Sequence, residues 1–200
     1  MFHNYHLLQY RANIPISQVH FIHKYLYNHE VDAITSLVSN LRSREGTIVG
    51  TEAQNGMSYR QSDIRWIEWN DENWWLYTKL TQKINEINGQ LWNFDLFGIN
   101  EYIQYAEYNG NNSSRGHYDW HIDVGNQGLE STRKLTIEIV LDSDYAGGDL
   151  SFLLGPTENR VRLEKGDLVV YPSFVLNKVY PVLSGIRRSI VCWISGPSFK

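Results

Sequence analysis

The sequence predicts an α+β fold in which helices come first and a run of about eight short antiparallel strands follows. Three observations predict it. Apolar residues recur at helical spacing in two stretches before Trp92. After Trp92 the texture changes to short runs rich in Ile, Val, Tyr and Phe, separated by Gly, Asn and Asp clusters. The chain of 200 residues shows no linker or internal repeat, and such a length can bury about 70% of its unfolded surface around one core.

The first helix is expected at 29 to 42. Val31, Ile34, Leu37, Val38 and Leu41 form one stripe behind Asn28 as a cap, and the stripe stops before Gly46. The second carries Trp75, Leu76, Leu80, Ile84, Ile87 and Leu91 over about five turns. Asp71 is placed to cap it, and Asp71 and Glu72 suit the positive end of its dipole. The strands are expected at 102 to 108, 117 to 122, 134 to 141, 149 to 153, 160 to 164, 167 to 171, 177 to 183 and 187 to 194. Eight strands without intervening helices fit a sandwich, jelly roll or small barrel. The polar segments 109 to 116 and 124 to 132 place the strand between them next to two exposed mouths.

Composition narrows the function classes. Eighteen basic against 22 acidic residues give a net charge of -4, so no global positive field draws the chain to nucleic acid or an anionic membrane. No segment has the ~18 uninterrupted apolar residues of a membrane helix, and the start lacks the pattern of an export signal. Cys192 is the single cysteine, which excludes an internal disulfide framework or a cysteine zinc cluster and favours a reducing cytoplasm. Any metal must be held by His and carboxylate.

The segment His117 to Asp123, HYDWHID, carries that chemistry. His117, Asp119, His121 and Asp123 alternate with Tyr118, Trp120 and Ile122, so period two puts all four on one strand face and Tyr118 and Trp120 on the other. Chance predicts about 0.35 His-x-Asp pairs in a chain of this composition; two occur within seven residues. Neighbours at i and i+2 sit about 6.6 Å apart and can converge on one ion, whereas residues six apart are separated by about 20 Å. Only one adjacent pair can therefore be a metal pair. With a third ligand from a distant strand it would form the facial triad of non-haem Fe(II). That ligand is normally His, and no His follows His121.

YDWHID, GGDLSF at 147 to 152, GDLVVYPS at 166 to 173 and VYPVLSGIRRSIVCWISGP at 179 to 197 together resemble the Fe(II)- and 2-oxoglutarate-dependent oxygenases of the prolyl 4-hydroxylase type, including the PKHD-type hydroxylases. RQSDIRWI at 60 to 67 and LWNFDLFGINEYIQYAEY at 91 to 108 look like that family's N-terminal support. The resemblance implies a double-stranded β-helix (jelly roll, cupin-like) core at 93–200, an N-terminal helical support region at 1–92, and a single domain over 1–200. It assigns His121 and Asp123 as iron ligands. LNKVYPV at 176 to 182 aligns with the segment that supplies the distal His, so that position holds Asn177.

Ten positions on, Arg187 takes the place of the family's Arg for the far carboxylate of 2-oxoglutarate, a role its planar, always charged fork suits. Tyr108 matches a tyrosine that reaches the same carboxylate. Fe(II), 2-oxoglutarate and, as a further candidate, ascorbate are the implied cofactors.

Asn177 leaves three outcomes open: a weak amide ligand, a water held by the amide, or no iron at all. A His from the N-terminal part (His3, His6, His20, His23 or His29) is the remaining substitute. The implied activity is hydroxylation of a C–H bond, on a prolyl or other peptide side chain or a small molecule, with substrate choice in loops 44 to 58 and 109 to 116. The alternative from another class is an impaired jelly-roll module binding a peptide or small carboxylate. A metal-independent sugar-binding jelly roll ranks last, since such a site needs neither YDWHID nor Arg187.

Overall fold

The structure, a computed structural model, describes residues 18–46 and 59–199. Among the described residues, fourteen strands and two helices run in the order β1 (His20–Ile22), α1 (Asn28–Ser39), β2 (Arg44–Glu45), β3 (Arg60–Gln61), β4 (Asp63–Ile67), α2 (Trp74–Leu91), β5 (Gly98–Ile99), β6 (Ile103–Asn109), β7 (His117–His121), β8 (Arg133–Val140), β9 (Tyr145–Gly147), β10 (Leu150–Leu154), β11 (Thr157–Val161), β12 (Leu168–Pro172), β13 (Leu176–Val179) and β14 (Val182–Ser195). A 3₁₀ turn at Leu129–Thr132 leads into β8. Among the described residues no helix is long and apolar enough to cross a membrane.

All strand pairs are antiparallel, in two sheets. The larger has the order β1-β12-β8-β14-β6-β4-β2, with β5 and β9 added to β14; the smaller is β11-β10-β13-β7-β3. The result is a jelly roll with helices packed on the larger sheet. Strand alternation sorts the two faces. Ile103 and Tyr105 of β6, Leu135, Ile137 and Ile139 of β8, Leu168 and Val170 of β12 and Ile190, Cys192 and Ile194 of β14 pack against Val31, Ile34 and Val38 of α1 and Leu76, Leu80, Ile84 and Ile87 of α2. The opposite rows contribute Ala106, Tyr108, Val140, Val169 and Tyr171 to a second core shared with Leu150, Phe152 and Val179 of the small sheet.

Both helices lie where the periodicity put them, with different caps. Tyr27 is the N-cap of α1, its backbone N–H donating to Glu30 Oε2 at 2.9 Å, and Asn28 is the first helical residue. Asn73 rather than Asp71 precedes α2. Its buried side chain donates to the Glu68 carbonyl at 2.6 Å and accepts from the Asn70 N–H at 3.0 Å, which folds 70–73 into a turn ahead of the helix.

Six of the eight expected strands fall on β6, β7, β8, β10, β12 and β14. The one expected at 160 to 164 starts at Thr157, because the tight turn through Gly155 (φ +65°) returns the chain at once onto β10. The stretch 177 to 183 is split into β13 and the start of β14 at Pro181, which has no N–H for the ladder. The part before residue 93 is not helical support alone: β1 pairs with β12, β4 with β6 and β3 with β7. These strands are two to five residues long, too short to leave a readable period.

Candidate active site

The smaller sheet carries His121 and Asn177, and the turn after β7 carries Asp123. Asn177 is the pairing partner of His121, and the register shifts before the next pair, Val179 with Tyr118. Three residues of β7 therefore span the length of two on β13, a bulge that undoes strict alternation. Tyr118 lands on the His121 side, its ring stacked at 3.5 Å and 9° on the imidazole. Asp119 leaves that face and pairs with Lys178 at 2.8 Å, and Trp120 lies beside Lys178 as well. The expectation of four polar side chains on one face, with Tyr118 opposite, is thereby corrected. His121 and Asp123 are the pair that meets, with Nε2 3.8 Å from Oδ1.

The surroundings hold each group in one state. His121 Nδ1 is 2.7 Å from the Asp119 carbonyl, an acceptor only, so the proton sits on Nδ1 and the Nε2 lone pair faces Asp123. Burial keeps the imidazole below its ordinary pKa, outweighing the nearby Asp123 carboxylate, so the ring is neutral. Asp123 Oδ2 accepts from Thr136 Oγ1 at 3.0 Å, Tyr171 Oη at 3.1 Å and Asn177 Nδ2 at 3.4 Å. Tyr171, raised well above its ordinary pKa by burial and then by Asp123, remains a donor. The Asp123 N–H donates to the Ser173 carbonyl at 2.9 Å, and its own carbonyl accepts from Arg133 at 2.9 Å. Arg133 is fixed in turn by the Glu101 carboxylate and the face of Trp193.

Asn177 points inward and is buried. Its Nδ2 lies 3.3 Å from the carbonyls of His121 and Val175 and 3.4 Å from Asp123 Oδ2. Three acceptors around one atom assign it as the amide nitrogen. Among the described residues no group of three or more His, Cys, Asp and Glu side chains is gathered for a metal. His20 lies on β1, His23 beside Asp167 and His29 against Tyr27, away from the site; His3 and His6 fall outside the described residues.

A cavity of about 670 Å³ opens onto His121, Asp123 and Asn177, with Arg60, Tyr108 and Glu138 in its walls. Arg60 lies 4.6 Å over the Tyr118 ring, so guanidinium, phenol and imidazole form one stack, and it donates to Gln104 and Ser62. Tyr108 stands across from Arg187 in the β6–β14 pairing, with the Arg187 guanidinium 5.6 Å from its ring. A larger open groove of about 1220 Å³ beside α1 and the start of α2 contains no histidine.

Arg187 is not in the cavity wall. It is 1% exposed, with Nη2 2.7 Å from Glu138 Oε1 and Nη1 3.1 Å from Ser189 Oγ. Burial would lower its pKa, but Glu138 outweighs burial and the guanidinium stays charged. Gly148 of the GGDLSF segment adopts φ +66°, and a Cβ there would lie 3.0 Å from Arg187 Cδ, so the arginine stem packs on bare backbone. The strand alternation of β8, KLTIEIV, held the signal for the missed residues: Thr136 and Glu138 share a face opposite Leu135, Ile137 and Ile139, and a Glu amid such neighbours is a buried charge in need of a partner.

The donor set fits a divalent ion: one imidazole nitrogen with its proton placed away, and one carboxylate oxygen held ready by three donors to the other. The fit to 2-oxoglutarate is incomplete, because Arg187, the expected partner of its far carboxylate, already faces a carboxylate of the chain.

Residues 103–195 match the family described as the 2OG-Fe(II) oxygenase superfamily. A PKHD-type hydroxylase of Synechococcus sp. (strain CC9902) is 38% identical over 79 residues, 38% of this chain and 35% of that protein. One of Colwellia psychrerythraea is 36% identical over 83 residues, 40% and 37% of the two chains. The matched segment thus spans little more than a third of these relatives' length. Among solved structures, a Pseudomonas putida prolyl-4-hydroxylase superposes with TM-score 0.69 at 18% identity, over 91% of this chain and 94% of that one. A Trichoplax adhaerens prolyl hydroxylase in complex with a hypoxia-inducible-factor peptide gives TM-score 0.71 at 20% identity, over 89% and 83%. These likenesses carry the fold, and the family match over residues 103–195 covers most of the strands that build the site, so this part of the chain is similar to the 2OG-Fe(II) oxygenase superfamily and to PKHD-type hydroxylases.

Proposed function

We propose that the chain is an Fe(II)-dependent dioxygenase that couples decarboxylation of a 2-oxo acid to hydroxylation of a C–H bond. The observation that carries the reading is the state of His121 and Asp123: a neutral imidazole with Nδ1 tied to a carbonyl, facing a carboxylate with one oxygen saturated and the other free of those donors. Iron held there would supply the activation of dioxygen. The residues around it do the rest. Tyr171 and Thr136 hold Asp123, and the Arg60–Tyr118 stack holds the His121 ring.

A peptide side chain, prolyl or other, is the substrate class favoured here, since the Trichoplax relative in fold holds a peptide. Of the two loops expected to choose substrate, Arg44 and Glu45 of 44 to 58 line the cavity and none of 109 to 116 does; residues 47–58 fall outside the described residues. The test is anaerobic loading with Fe(II) followed by oxygen and a panel of 2-oxo acids, counting carbon dioxide. Iron-dependent release that His121→Ala abolishes is the expected result; release indifferent to that substitution would overturn the reading.

A second reading, a jelly-roll module that binds a peptide or small carboxylate without turnover, is favoured by the orientation of Asn177, whose N–H is directed at Asp123. It predicts ligand binding with no iron-dependent release in the same experiment.

A further inference from the structure

Glu138 and Arg187 form a buried pair on the inner face of the large sheet, 4% and 1% exposed. Glu138 stands on β8 between β12 and β14, opposite Val169 and Val191. Neither neighbour offers it a side-chain donor, so its carboxylate depends on Arg187. The two also differ in access: Glu138 lines the cavity that holds His121 and Asp123, and Arg187 does not. A dicarboxylate bound at the metal face would bring its far carboxylate against Glu138, a like charge in a poorly solvated place. Displacing Glu138 would strand a buried carboxylate, which is costlier than leaving the pair intact.

We propose that Glu138 is the chain's own substitute for a cosubstrate's far carboxylate, saturating the charge of Arg187 so that the cavity favours a 2-oxo acid with an uncharged far end over 2-oxoglutarate. The inference rests on the dioxygenase reading for its metal face and names the cosubstrate class of that site. Arg187 Nε lacks an acceptor, so it is the charge rather than every N–H that Glu138 satisfies.

The test uses the whole protein with Co(II), which does not turn over, and repeats each titration without metal. 2-Oxoglutarate and 2-oxobutanoate are titrated calorimetrically into the unmodified protein and into Glu138→Gln, which removes the charge and keeps an acceptor for Arg187. The unmodified protein is expected to bind 2-oxoglutarate no more tightly than 2-oxobutanoate. Glu138→Gln is expected to gain about tenfold or more for 2-oxoglutarate, the scale of a charged hydrogen bond, with 2-oxobutanoate unchanged. Tighter binding of 2-oxoglutarate by the unmodified protein, or no gain in Glu138→Gln, overturns the proposal. If Glu138→Gln does not fold, the ratio of the two acids in the unmodified protein decides alone. Failure of Co(II) to bind counts against the metal reading, and the metal-free titrations then decide the role of Glu138.

Discussion

Asn177 lies directly across from His121 in the pairing of β13 with β7, and its amide nitrogen is 3.4 Å from Asp123 Oδ2. The residue at the third corner of the site thus donates to the carboxylate. Asn177→His would place an imidazole there, a far better ligand for Fe(II) than a neutral amide. Metal affinity measured with Co(II) should rise on the order of 10- to 100-fold, the range over which groups around a metal tune its binding. Unchanged affinity would mean that position 177 does not reach the metal.

Tyr171→Phe and Thr136→Val each remove one donor to Asp123 Oδ2. Each should weaken Co(II) binding on the order of 10- to 100-fold and lower unfolding free energy by about 1 kcal/mol. Calorimetric titration and urea denaturation read the two effects separately.

The first His-x-Asp pair should behave differently. Asp119 is bound to Lys178 at the surface, with side chains 47% and 20% exposed. Asp119→Asn should change stability by less than about 1 kcal/mol and leave Co(II) affinity as it was. A loss like that of Asp123→Ala would move the metal to the wrong pair.

Asp167 sets an acid limit on stability. Burial would raise its pKa, but the N–H groups of Glu164 and Lys24 and the ring of His23 hold it below its ordinary 3.8. A carboxyl whose folded pKa is lowered stabilises the fold fully above its unfolded value, and that contribution is lost as pH falls through the folded one. Asp167→Asn should therefore cost about 1 to 3 kcal/mol at neutral pH. The difference from the unmodified protein should shrink as pH falls below about 4, read by urea denaturation across the acid range.

Long apolar periods were the legible part of the chain: Leu76 to Leu91 announces α2, and Leu135, Ile137 and Ile139 announce β8. Strands of two or three residues such as β1 and β3 were not, because pairing partners far away in sequence define them. In the site, HYDWHID exposed the candidate ligands, but alternation misplaced Tyr118 and Asp119, since a bulge belongs to the pairing with β13 and leaves no mark on β7 alone. The resemblance pointed to Arg187 while saying nothing of Glu138, whose effect depends on two strands lying side by side. Asn177 was legible as a substitution; which of its amide atoms meets Asp123 required the acceptors of three separate residues.

The central claim is that His121 and Asp123 hold a metal with Asn177 beside them, and anaerobic Co(II) titration followed by visible absorption tests it most directly. The account predicts one ion per chain in the unmodified protein, tighter binding in Asn177→His, and none in His121→Ala or Asp123→Ala. Binding that survives Asp123→Ala, or no binding by the unmodified protein and Asn177→His alike, would contradict it.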